Sequence, residues 1–63
     1  MAKTKFKGNF KEILKELRKK KNLTQRELAE KTGISLAMIT KYEQGLNTPS
    51  IENLRVLADF FKV

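Results

Sequence analysis

The sequence predicts an all-α fold, a compact bundle of four short helices. Three observations carry that expectation. Apolar residues recur at helical spacing in successive stretches; the stretches open on Asn, Thr or Ser; and no two runs alternate in a way that would let strands pair. Lys3, Lys5 and Lys7 do alternate with Thr4 and Phe6, but a lone strand has nothing to pair with. Residues 1–8 are therefore expected to form a basic N-terminal arm, and residues 9–63 the single domain.

The first helix follows Asn9, where N-x-x-E suggests a cap with Glu12 in the first turn. Phe10, Ile13, Leu14 and Leu17 then form one apolar stripe, opposite Lys11, Lys15, Glu12 and Glu16. Arg18–Lys21 places cations at the negative end of the helix dipole, and Asn22 is expected to stop the helix. Thr24 and Glu27 form a stronger capping box for a second helix over about Gln25–Thr32, with Leu28 and Ala29 inward and Leu23 stapling onto Leu28. Gly33 supplies the left-handed residue that ends it.

Ser35 opens a third helix, about Leu36–Gln44, with Ile39 and Tyr42 inward and Gly45 closing it. After the loop Leu46–Pro49, Ser50 or Thr48 with Pro49 opens the fourth, whose inner stripe is expected to be Ile51, Leu54, Leu57, Ala58 and Phe61. Val56, Phe60 and Val63 lie off that stripe and are candidates for a dimer surface, expected to be weak.

Sixty-three residues allow one small core, and the absence of Cys and His removes disulfides and the usual zinc sites as supports. Stability must then come from helix packing. The lack of Cys fits a cytoplasmic protein. Fourteen Lys and Arg against seven Asp and Glu leave a net charge of +7, which suggests a polyanionic partner, nucleic acid before an anionic membrane. No apolar run approaches the ~20 residues that span a bilayer. Without His or Cys, and with scattered carboxylates, no acid–base constellation appears, so the chain is not expected to be an enzyme or to need a cofactor, a metal or a small-molecule substrate.

The twenty residues Gln25–Gln44 concentrate the information. Two amphipathic helices joined at Gly33 need a small residue where they touch, which Ala29 supplies. They need a positive φ at the turn, which Gly33 allows, and a plug for the core after it, which Ile34 provides. This is the build of a helix-turn-helix, in which the second helix enters the DNA major groove. With Ile39 and Tyr42 inward, Ser35, Leu36, Ala37, Thr40, Lys41 and Gln44 are left outward.

Leu17-Arg18, Leu23-Thr24-Gln25-x-Glu27-Leu28-Ala29, Gly33-Ile34-Ser35-x-x-x-Ile39, Tyr42-Glu43-x-Gly45, Pro49 and Leu54…Leu57-Ala58 together resemble the phage-repressor and Cro-like, or XRE, helix-turn-helix family, from about Phe10 to Val63. The resemblance implies a lambda-repressor-like fold and sequence-specific binding of double-stranded DNA by a transcriptional regulator, as a repressor and as a possible homodimer on a palindromic site. It implies a DNA phosphate contact from Gln25 beside Thr24, groove-facing Ser35, Leu36, Ala37, Thr40 and Lys41, and backbone contacts from the loop of Gln44 and Asn47. It also implies an internal ion pair between Arg18 and Glu43. The sequence departs from the family in two respects. A fifth helix common among members is missing, and Leu36 and Ala37 are apolar where some relatives carry Gln or Asn, shifting base reading toward thymine methyls and Lys41. The competing expectations are an antitoxin-type or protein-interaction module on the same fold, or a cationic membrane-surface peptide. The last is disfavoured by the capping boxes and glycine turns.

Overall fold

In the computed structural model, which describes residues 9–63, the chain forms α1 (Phe10–Lys20), α2 (Gln25–Thr32), α3 (Leu36–Gln44) and α4 (Ile51–Phe61). The expected arm at 1–8 lies outside the described residues.

Local chemistry sets most helix ends. Thr24 Oγ1 accepts from the Glu27 N–H at 3.0 Å and Glu27 Oε1 accepts from the Thr24 N–H at 2.8 Å, a complete capping box. Ser35 and Ser50 cap α3 and α4 by accepting from the N–H of Met38 and of Asn53, each at 3.2 Å. Asn9 departs from expectation: it occupies the N-cap of α1, but its side chain makes no capping bond. Its carbonyl instead accepts from the N–H groups of Glu12 and Ile13, so the backbone alone starts that helix.

Gly33 ends α2 at φ 80° and donates its N–H to the Ala29 carbonyl at 2.9 Å. A side chain here meets no atom within 4 Å, so only the left-handed backbone opposes substitution. Gly33→Ala should therefore destabilise the domain by about 1–2 kcal/mol, read by thermal denaturation, and a loss below ~0.5 would show that the turn relaxes freely. Thr32 reinforces this turn, donating to the Leu28 carbonyl and accepting from the Ile34 N–H.

The core is Leu14 of α1, Leu28 and Ala29 of α2, Ile34 of the turn, Ile39 and Tyr42 of α3, and Leu57 and Phe61 of α4. α3 packs against both α1 and α2, while α4 packs on α2. Phe10 meets Tyr42 edge to face, with ring centroids 5.9 Å apart, and Asn53 donates to the Tyr42 hydroxyl at 3.0 Å, so Tyr42 joins three helices.

α4 differs from its expected stripe. Ile51 is 77% exposed, because six residues at about 100° each put it about 120° away from Leu57. Leu54, 46% exposed, lies with Ala58 along an apolar cleft whose other wall is Phe10, Ile13 and Leu17 of α1. Phe60, expected off the inner face, packs on the core, edge to face with Phe61, and carries the Lys21 ammonium 5.6 Å from its ring centre. Val56 and Val63 remain exposed.

Candidate nucleic-acid interface

α3 has two faces. Tyr42, Ile39 and Glu43 are buried, whereas Leu36, Ala37, Lys41 and Gln44 are exposed and Thr40 is half-buried. At about 100° per residue, Leu36, Thr40, Gln44, Ala37 and Lys41 fall within one arc of about 140°. Ser35, at the head of that arc, is exposed, but its hydroxyl is occupied by the cap bond to Met38. The inward residues plant the helix, and the outward ones are small, polar or cationic apart from the apolar Leu36.

Beneath this face lies an ion pair. The guanidinium of Arg18 grips the Glu43 carboxylate with two bonds, Nε to Oε2 at 2.6 Å and Nη2 to Oε1 at 2.9 Å. The Glu43 side chain is buried, 3% exposed, and that of Arg18 is partly buried, 13% exposed. Arg18 spends its remaining reach on the Leu23 carbonyl, 2.8 Å from Nη1, so one side chain secures α1, the α1–α2 link and α3. Hydrogen bonding to Glu43 raises the Arg18 pKa above its ordinary value, outweighing the opposing effect of burial.

Gln25, the first residue of α2, is half-buried and turns toward α3. Its Nε2 donates to Glu43 Oε1 at 3.0 Å, and its Oε1 accepts from the Thr40 hydroxyl at 3.0 Å. Arg18, Glu43, Gln25 and Thr40 thus form one continuous chain of hydrogen bonds from beneath the bundle to the outer face of α3. Sequence periodicity gives no sign of this chain, because its members lie 15 to 25 residues apart on three helices.

The other expected site residues stand apart from it. Thr24 is exposed and engaged in its capping box. Lys41 is exposed and takes part in no ion pair among the described residues. Asn47, in the loop after α3, is exposed beside Phe10 at the start of α1 and Tyr42 of α3. Arg26, exposed in the first turn of α2, adds a cation at the positive end of that helix.

A family model described as helix-turn-helix matches residues 14–63, from the buried Leu14 of α1 to the end of the chain. The chain belongs to the XRE-type helix-turn-helix family. Among curated helix-turn-helix relatives, it is 44% identical over 54 residues to the HTH-type transcriptional activator BcrR of Enterococcus faecalis, a match covering 86% of this chain and 26% of that protein. It is 43% identical over 54 residues to the cryptic phage CTXphi transcriptional repressor RstR of Vibrio cholerae serotype O1, covering 86% of this chain and 48% of RstR. It is 46% identical over 48 residues to the HTH-type transcriptional regulator AnsR of Bacillus subtilis, covering 76% of this chain and 41% of that relative. The chain spans less than half the length of each of these relatives. No solved structure gives a significant match. No helix among the described residues of this helix-turn-helix domain is long and apolar enough to cross a membrane.

Proposed function

We infer that the chain binds double-stranded DNA in a sequence-specific way as the DNA-binding unit of a cytoplasmic transcriptional regulator, with α3 in the major groove. The observation that carries this reading is the division of α3: an outward arc of Leu36, Ala37, Thr40, Lys41 and Gln44, polar or cationic at three of its five positions, on a helix fixed from below by Ile39, Tyr42 and the Glu43 ion pair. The charge of +7 adds the sequence-independent attraction to phosphate. The names of the relatives, regulators that include one activator and one repressor, support regulation of transcription. Repression follows where the bound site overlaps a promoter, and two copies on a palindromic site would match the two-fold symmetry of such a duplex.

The test is a salt titration of binding to duplex DNA. With ~4 phosphates contacted per subunit, log K should fall against log salt with a slope of about −3 to −4 per subunit. A flat dependence, or no duplex retained even at low salt, would overturn the reading.

Lys41 is the proposed base-reading cation. It is exposed one turn beyond Ala37, and its ammonium can address guanine O6 and N7. Lys41→Ala should cost about 1–3 kcal/mol on the preferred site and relax the choice at one base pair. An equal loss on every sequence would make it a phosphate contact.

A further inference from the structure

We propose that Gln25 sets the hydrogen-bonding polarity of Thr40, so that the Thr40 hydroxyl meets the groove as an acceptor and selects a base with an exocyclic amino group, adenine or cytosine, on the strand it faces. The proposal rests on the DNA-binding reading above and assigns Gln25 a positioning role there, beyond a phosphate contact.

The order of donors along the buried chain leaves little freedom. Arg18 has only donors, so the Glu43 carboxylate gripped by it has only acceptors to offer. The Gln25 amide must therefore turn its NH2 group to Glu43 Oε1, 3.0 Å away. That orientation leaves the Gln25 oxygen facing Thr40, also at 3.0 Å. Two oxygens at that distance need a hydrogen between them, and the amide oxygen carries none, so the hydroxyl hydrogen of Thr40 is committed inward. What the Thr40 hydroxyl has left to offer is acceptor lone pairs. Thr40, half-buried, sits between Leu36 and Gln44, one turn away on either side, within the outward arc of α3.

In the major groove, adenine N6 and cytosine N4 are donors, whereas guanine N7 and O6 and thymine O4 are acceptors. A free threonine hydroxyl serves either kind, because its hydrogen rotates to suit. A threonine whose hydrogen is already held serves donors only. The buried ion pair thus reaches the groove as a choice between base edges, carried by a side chain on α2 that need not touch a base.

The experiment selects duplexes from a random library with the full chain. Affinities for every single-base variant of the selected site are then measured for wild type, Thr40→Val, Thr40→Ser and Gln25→Ala, with folding of each checked by its thermal melt. Wild type and Thr40→Ser should prefer adenine or cytosine over guanine or thymine at one position by roughly 3- to 10-fold, the worth of one hydrogen bond. Thr40→Val should lose that preference at that position alone. Gln25→Ala should weaken binding generally and also admit guanine or thymine at the same position, because the hydroxyl hydrogen is released. Preferences left unchanged by Gln25→Ala, or by Thr40→Val, overturn the proposal while leaving DNA binding intact. Failure of wild type to retain any duplex at low salt overturns the DNA-binding reading and the proposal with it.

Discussion

Glu43→Ala is expected to destabilise the domain by about 2–4 kcal/mol, well beyond the ±0.5 of an ordinary surface change. The carboxylate is almost fully buried and satisfies three donors, two from Arg18 and one from Gln25. Its removal leaves the partly buried Arg18 charge with only the Leu23 carbonyl as a partner. A domain of this size holds roughly 3–9 kcal/mol in all, so the loss is a large fraction of the total. The midpoint of thermal unfolding should fall by on the order of 10–25 °C. Arg18→Ala should be similarly harmful, because it strands the carboxylate. The double variant should be less harmful than the two losses added together, because neither charge is then unpaired. Thermal melts of the three proteins decide the matter, and simple additivity would show that the two side chains act independently.

Ile39→Ala is expected to cost about 2–5 kcal/mol. Ile39 has no exposed surface, and it lies within the core that joins α3 to α1 and α2. The helices on either side are tied down by caps and by the ion pair, so the cavity left by the lost carbons cannot simply close. The loss should appear in the thermal midpoint, and DNA binding should fail with it at ordinary temperature and return on cooling toward maximum stability. Lys41→Ala should do the reverse, leaving the melt within ~0.5 kcal/mol of wild type while weakening binding at every temperature. If Ile39→Ala melts like wild type, the core does not anchor α3.

These two positions mark what the sequence could and could not disclose. Ile39 and Tyr42 were readable as inward residues because three-residue spacing on a capped helix is a local signal, and the same holds for Thr24, Ser35, Ser50, Gly33 and Gly45. Asn9 was less readable: the residue type suits a cap, but backbone bonds to Glu12 and Ile13 make the side chain dispensable there. On α4 seven of the eleven residues are apolar, so a stripe could be drawn through Ile51 or through Phe60, and only the packing against the other helices decides between them. The link from Gln25 to Glu43 and Thr40 was beyond reach, because periodicity within one helix carries no record of which side chain on another helix will meet it.

The division of α3 has an evolutionary consequence. Leu36, Ala37, Lys41 and Gln44 are exposed, while the residues that plant the helix lie on its other side. Mutations at these four positions therefore pass through a nearly flat stability landscape, and a lineage can drift from one operator to another without crossing an unfolded intermediate. Thr40 is the exception on that face, since its hydroxyl is bonded to Gln25. Change there is expected to travel in pairs with Gln25, so that the two form a single heritable unit inside an otherwise freely rewritable address.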